Sequence, residues 1–439
     1  MIKQIVKPSI LPGFMELLPS DQILFNWMMD TIRKNYERFG FAPIDTPVIE
    51  KSEILLAKGG GDTEKQIYRF TKGETDMSLR FDLTVPLARY VAQHFSDLTF
   101  PFRRYHIGKV YRGERNQKGR FREFYQCDID IIGNGNLNIV NDAEIPSVIY
   151  ETFRELGFNS FTIHINNRKV LNGFFEAVGV EDKSMVLRTI DKIDKIGVEA
   201  VKEELLKLSI SNESVDSILN FIQIKGNNDS IVESLKALNI ENDTFKEGLE
   251  ELSKVVHYIR HFNVPEKNFE IDLTIARGLD YYTGTVYETI LDDYPAIGSV
   301  CSGGRYDNLA EYYTTQKLPG VGISIGLTRL FYQLREAAII DTNKASTTSQ
   351  VLVIPLDYNL DYAIKTASSL RTQGISCEVY FDDVKIAKKF TYANKLAIPY
   401  VISIGQNEIS TNTVAFKNMN TGEQRQVKLE EVIEVINRK

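Results

Sequence analysis

Between Lys109 and Gly133 the chain reads KVYRGERNQKGRFREFYQCDIDIIG, two strands joined by a charged loop. The first strand is a β-branched and aromatic run ending at Tyr111. The second, from Phe124, alternates with period 2. Tyr125, Cys127, Ile129 and Ile131 fall on one face, suited to a core, while Phe124, Gln126, Asp128 and Asp130 fall on the other. Between the strands lie Arg112, Arg115, Lys118, Arg120 and Arg122 against Glu114 and Glu123. Guanidinium groups at that density match phosphate geometry, because one fork of donors grips two oxygens at once. A solvated hairpin tip guarded by charge has the same wording. That reading leaves unexplained a carboxylate and an amide on one strand face beside the arginines, a set suited to a small zwitterion held next to a phosphate.

Composition sets outer limits. A chain of 439 residues, 43% apolar and 25% charged, predicts a soluble protein of two to three domains with ample core. The opening MIKQIVKPSILPGF has no long apolar run ahead of a small-residue cleavage site, and nowhere do about 18 apolar residues run together. Neither a signal peptide nor a membrane span is expected. Cys127, Cys301 and Cys377 are odd in number, far apart and without metal-ligand spacing, which fits a reducing, cytoplasmic setting. A net charge of −7 argues against a protein that coats nucleic acid indiscriminately, and leaves room for a local basic patch serving one RNA. No G-x-x-x-x-G-K-[ST] loop is present, so ATP is not held in the P-loop manner. His106-Ile-Gly-Lys109 superficially resembles the HIGH motif of class I synthetases in its first three letters, but no KMSKS-like partner or Rossmann pattern accompanies it.

The 109–133 stretch resembles motif 2 of the class II aminoacyl-tRNA synthetases, and its wording is similar to that of the histidyl-tRNA synthetases. Other pieces follow in order along the chain. A helix opens at Pro19-Ser20-Asp21, with an apolar stripe of Ile23, Leu24, Trp27, Met28 and Ile32, and Gly40 ends it. A strand, Phe41 to Pro47, comes next, and the pair resembles motif 1, the dimer element of the family. Gly59-Gly60-Gly61-Asp62-Thr63-Glu64 reads as a loop, either a flexible turn or a close backbone approach to a ligand. In Leu79–Pro86, LRFDLTVP, Asp82 and Thr84 share one face if the segment is extended and together suit an ammonium group. The family carries LRxxxT there for the α-amino group of its substrate. A helix is expected over Asp142–Leu156 and a strand over Phe161–Ile165, where His164 alternates with apolar neighbours as a structural residue.

From about 167 to 262 the chain reads almost wholly helical, an insertion between two strand-rich halves. Phe245, Leu249, Leu252, Val256 and Ile259 form its clearest stripe, with Thr244 and Glu247 as a capping box. His257 and His261 are spaced i, i+4 with no third ligand nearby, too little for zinc. Ile271–Glu288, IDLTIARGLDYYTGTVYE, reads as a strand to Arg277-Gly278, a turn, Tyr281-Tyr282 and a second strand. An arginine at a strand end is costly to bury unless it faces an anion. ARGLDYYTG is similar to the histidine-specific signature of the family. Ser299–Asp307 places a strand against Gly303-Gly304, where a missing Cβ leaves room for a ligand, and Gly320–Leu330 resembles motif 3, a strand running into a helix that carries Arg329. A small, polar linker occupies 336–350. Beyond it strands (Val351–Pro355, Cys377–Phe381, Tyr400–Ile404) alternate with helices, one bearing Lys385, Lys388, Lys389 and Lys395 as candidate RNA contacts.

The resemblance implies an α/β (α+β) architecture: a class II catalytic domain over 1–335 on an antiparallel sheet, with the helical insertion, and a mixed α/β anticodon-binding domain over 351–439. It implies a histidine–tRNA ligase that makes histidyl-adenylate from L-histidine and ATP, then passes the histidine to the 3′ end of tRNA(His). In that reading Arg112 holds the α-phosphate, Arg120 and Arg329 the outer phosphates, and Arg277 lies between carboxylate and α-phosphate. Asp82, Thr84 and Gln126 grip the ammonium; Asp130 and Tyr282 bond the imidazole nitrogens, and Tyr281 lines the pocket. ATP comes with Mg²⁺, for which no protein side chain is assigned; no tightly bound cofactor is expected, and the enzyme is a homodimer. A regulatory relative that binds histidine without activating it is the nearest rival. Such relatives usually lack the C-terminal domain and the ARGLDYY wording, and both are present here.

Overall fold

The computed structural model describes every residue except 1–4, 58–61, 115–118, 209, 276–281, 308–309, 341–345, 357–358 and 439. The chain divides into two compact units, Met1–Met15 with Met28–Glu336, and Glu16–Trp27 with Ala337–Lys439.

The alternation of residues 124–131 sets the larger unit. Among the described residues its main sheet has eight strands: β1 Ala42–Pro43, β2 Phe102–Tyr111, β3 Glu123–Ile132, β4 Phe161–Asn167, β5 Phe269–Ile271, β6 Thr285–Leu291, β7 Cys301–Tyr306 and β8 Gly320–Ile325. Their order is β1-β2-β3-β8-β7-β6-β4-β5. Every pairing from β2 to β4 across this order is antiparallel, and only the outermost strands, β1 and β5, pair in parallel. Cys127, Ile129 and Ile131 are fully buried and stand opposite Ile325, Ile323 and Val321 of β8. The other face carries Asp128 opposite Ser324 and Asp130 opposite Gly322. One sheet therefore has an apolar face and a polar one, as a period-2 pattern demands.

The apolar face is covered by helices. In the part of Pro19–Arg38 that belongs to the larger unit, Met28, Ile32 and Tyr36 are buried, whereas Trp27, expected in the stripe, is 48% exposed. Tyr36 donates its hydroxyl to the Cys127 carbonyl at 2.9 Å, tying the helix to β3. The strand expected over 41–47 shrinks to the two residues of β1, because prolines at 43 and 47 remove ladder donors. The helix Val140–Glu155 brings Asp142 under the sheet, where its carboxylate meets Arg305 of β7.

Two local expectations change. Asp62–Gln66 is a short helix, not a loop; Gly59–Gly61 lie outside the described residues. Leu79 ends a strand, but Thr84 starts a helix, Thr84–Gln93, so 79–86 is not extended. Pro86 sits in that helix's first turn, where its missing N–H costs nothing.

Helices from Arg168–Ala177 to Asp243–His261 fill the block between β4 and β5. Phe174 stacks on Phe221 with centroids 3.9 Å apart, and the last helix buries Phe245, Leu252, Val256 and Ile259. Its N-cap is Asn242, whose side chain accepts from Phe245 N–H at 2.9 Å; Glu247 instead binds Lys169, so no Thr244–Glu247 box forms. Asparagine caps at least as well as threonine, and it came first in the chain.

His164 on β4 has Nδ1 3.1 Å from Glu270 Oε1 and 3.2 Å from Asp272 Oδ2. Burial works to lower its pKa, but Asp272 and Glu270 outweigh burial and hold it at about 9. The folded value lies above the unfolded one of about 6.5, so this stabilisation is complete below pH ~6.5 and is lost as pH rises through about 9. In urea denaturation His164→Gln should be less stable than the parent at about pH 6, and the gap should close towards about pH 10. A pH-independent gap would assign the loss to packing.

The smaller unit carries a five-stranded mixed sheet among its described residues, in the order Cys377–Val379, Val351–Pro355, Tyr400–Ile404, Val414–Asn418, Gln424–Val427, the first three parallel. On the helix Ile386–Lys395, Lys388 and Lys395 are exposed. Lys389 is buried, donates to the Pro355 carbonyl at 3.2 Å and lies over the Tyr380 ring, so it is no surface RNA contact.

Candidate active site

The polar face of β3 floors a cavity of about 420 Å³. Asp82, Thr84, Arg112, Arg120, Gln126, Asp130, Tyr282 and Arg329 all line it. Arg277 and Tyr281 lie outside the described residues. The strand expected to reach Arg277 ends at Ile271, where Asp272 turns the chain by accepting from the Thr274 N–H at 2.9 Å.

Several of the lining side chains are held from behind. Asp82 precedes the helix Thr84–Gln93, and its Oδ1 accepts the Val85 N–H at 3.0 Å. The carboxylate lines the cavity just ahead of this helix, and Thr84 follows in the first turn. Gln126 donates Nε2 to Ser324 Oγ at 2.9 Å, which leaves its Oε1 as an acceptor without a partner among the described residues. Arg112 donates Nε to the Phe81 carbonyl at 3.2 Å, and its guanidinium lies 4.3 Å from the Phe81 ring and 5.1 Å from that of Phe124. A guanidinium stacked between two rings is fixed in direction before any anion arrives. Arg120 Nη1 is 3.5 Å from Glu114 Oε2 on the charged loop. Arg329 is the third residue of the helix Leu327–Glu336 and donates Nη2 to the Ile297 carbonyl at 2.9 Å. That helix is pinned to β3 by the Tyr125 N–H, which donates to Thr328 Oγ1 at 2.8 Å.

Asp130 is the most constrained group. Tyr306 of β7 donates its hydroxyl to Asp130 Oδ1 at 2.8 Å, and the fully buried Arg104 of β2 pairs with Oδ2. Burial raises the Asp130 carboxyl to about 6, with Arg104 and Tyr306 opposing the rise. Burial also raises Asp82, against the Val85 N–H and the Arg112 charge. Gly322 faces Asp130, and a Cβ there would lie 2.3 Å from Oδ1. Gly304 leaves space too, but the Tyr282 ring takes it: a Cβ would meet Tyr282 Cδ1 at 2.9 Å.

Sequence reasoning missed Arg104, Asp128, Tyr306 and Ser324. Asp128 had been placed on the correct face; the others become neighbours only through strand order, Tyr306 lying 176 positions from Asp130. His106 is absent from the cavity lining and is engaged with Asp45, 2.9 Å away, beside Arg80, as befits a chance match to HIGH.

The cavity thus brings the carboxylates of Asp82, Asp128 and Asp130 together with the guanidinium groups of Arg112, Arg120 and Arg329. Comparison with known proteins places the chain in a family. The sequence model for histidyl-tRNA synthetase matches residues 13–330, and that for the anticodon binding domain matches 350–439. The histidine–tRNA ligase of Clostridium tetani is 71% identical over 436 residues, covering 99% of both chains.

This chain belongs to the histidyl-tRNA synthetase family.

The histidine–tRNA ligase of Clostridium acetobutylicum is 50% identical over 427 residues, covering 97% of this chain and 99% of that one. Among solved structures, the histidyl-tRNA synthetase from Nostoc sp. PCC 7120 superposes with a TM-score of 0.92 at 41% identity, covering 99% of this chain and 100% of that one. An ATP phosphoribosyltransferase regulatory subunit/histidyl-tRNA synthetase from Bacillus halodurans shares the fold, with a TM-score of 0.75 at 20% identity over 88% of this chain and 97% of its own. The antiparallel sheet, the helical block and the C-terminal α/β sheet are thus the class II plan of this family.

Proposed function

We propose that the chain is a histidine–tRNA ligase, forming histidyl-adenylate and pyrophosphate from L-histidine and ATP and then charging the 3′ end of tRNA(His). The observation that carries this is one cavity lined at once by Asp82, Gln126 and Asp130 and by Arg112, Arg120 and Arg329. Asp82, Thr84 and the free Oε1 of Gln126 accept the ammonium N–H groups. Asp130, held by Tyr306 and Arg104, accepts from one imidazole nitrogen, and Tyr282 serves the other; the family resemblance implies Tyr281 as a further lining residue. An analogue without ring nitrogens leaves these buried groups unpaired, which is the basis of selectivity.

The carboxylate so placed attacks the α-phosphorus in line. Both partners are anions, so alignment and charge neutralisation supply the catalysis. Arg112 takes the α-phosphate, Arg120 and Arg329 the outer phosphates, and Arg277 the space between carboxylate and α-phosphate, as the family resemblance implies. Mg²⁺ fits the arginine end: Glu114 is a carboxylate on that wall, and such an ion is held chiefly by phosphate oxygens and water. Bound there, it adds positive charge to the outer phosphates. The unit beyond residue 350 receives the tRNA anticodon. Exposed Ile5, Val6 and Leu11 suit a homodimer surface. A cytoplasmic setting fits the substrates, and among the described residues no helix is long and apolar enough to cross a membrane.

Pyrophosphate exchange with each amino acid tests the reading. Exchange with histidine alone is expected; histidine binding without exchange would make the chain a regulatory relative instead.

A further inference from the structure

Asp128 lies on the cavity floor between Gln126 and Asp130, 2% exposed, and nothing above gives it a task. Its carboxyl meets the Ser324 hydroxyl, the same hydroxyl that receives Gln126 Nε2. Its Oδ1 has no hydrogen-bond partner among the described residues, and neither has Gln126 Oε1, two positions earlier on the same strand face. Two buried acceptors left open side by side are expensive unless a donor arrives to fill them. The donor must carry several N–H groups and positive charge, because Asp82 faces the same space. A primary ammonium, with three donors and no acceptor, has that chemistry.

We propose that Asp128 is a further substrate-binding residue, whose Oδ1 joins Asp82 and Gln126 Oε1 in holding the ammonium group of the bound amino acid. This rests on the reading of the cavity as a histidine site. The charge balance supports it. The titratable groups around Asp128 are Arg104 and His106 on β2, Cys127 and Asp130 on β3, Asp82 before its helix, Cys301 on β7, and Tyr36. Of these Arg104 is the lasting cation, set against three carboxyls. Burial raises the Asp128 carboxyl furthest among them, to about 7, with Arg104 opposing. The empty floor therefore keeps a proton on Asp128 near neutrality, and the incoming ammonium replaces it.

The experiment compares L-histidine with 3-(imidazol-4-yl)propionate, which lacks only the ammonium, in calorimetric binding to the parent chain and to Asp128→Asn. The amide keeps the shape and the Ser324 contact. Expected is a loss of about ten- to a hundred-fold in histidine affinity, with the deaminated analogue changed by less than about threefold. The ammonium lowers the ring pKa of histidine below that of the analogue, so the preference is compared between proteins at each pH: the parent's preference for histidine over the analogue, divided by that of Asp128→Asn, should grow between about pH 6 and pH 8. Each ligand's own titration is common to both proteins and cancels in that quotient. Equal losses for both ligands would make Asp128 structural and overturn the proposal, as would unchanged histidine affinity. Parent protein that binds neither ligand would overturn the histidine-site reading itself.

Discussion

Arg112→Ala is expected to lower histidine-dependent pyrophosphate exchange by about 10²–10³ in kcat, some 2.7–4 kcal/mol of barrier. The side chain is placed before substrate arrives, with Nε on the Phe81 carbonyl and its plane against the rings of Phe81 and Phe124. The guanidinium so held lines the cavity beside Phe124 and Gln126. Arg112→Lys should recover little, because an ammonium on a flexible stem neither stacks nor presents two parallel donors. Histidine binding without ATP should change by only a few fold in both variants. Near-parental exchange by the alanine variant would remove Arg112 from the α-phosphate.

Asp142→Ala should destabilise the larger unit by about 3–5 kcal/mol, read from its urea transition. Arg305 Nη2 reaches Asp142 Oδ1 at 2.7 Å and Nε reaches Oδ2 at 3.0 Å, while Thr285 donates to Oδ2 at 2.7 Å. Asp142 is fully buried and the Arg305 side chain 7% exposed. The two halves of this pair are not equivalent. Burial already pushes the Asp142 carboxyl upward against the arginine's pull, so a carboxyl stranded by Arg305→Ala can take a proton and become neutral. A stranded guanidinium cannot shed its charge. Arg305→Ala should accordingly cost less than Asp142→Ala, and the reverse order would contradict this account.

Much of the catalytic sheet was legible because a period-2 pattern carries its own proof. Phe124 to Ile131 sorts into two chemistries, and the structure keeps both faces. The segment around Asp82 was harder. Pro86 reads as the end of a strand and equally as a residue of a first helical turn, and only the tertiary path decides. Asp82 and Thr84 line the cavity although the local conformation differs. Tyr306 and Arg104 left no local trace, since their meeting with Asp130 depends on β2, β3, β8 and β7 lying in that spatial order. Lys389 misled for a plainer reason. A lysine on a helix with several others looks solvated, yet its stem packs inward and its ammonium finds a carbonyl.

The two faces of β3 also bind activity to integrity of folding. A one-residue slip of this strand against β8 would send Gln126, Asp128 and Asp130 into the core and Cys127, Ile129 and Ile131 into the cavity. No chain can keep a correct interior with a scrambled reaction centre, or the converse. A molecule that survives proteolytic surveillance has, by that fact, an assembled floor for its substrate. In a protein on which the fidelity of every histidine codon would rest, the faulty copies are then the short-lived ones.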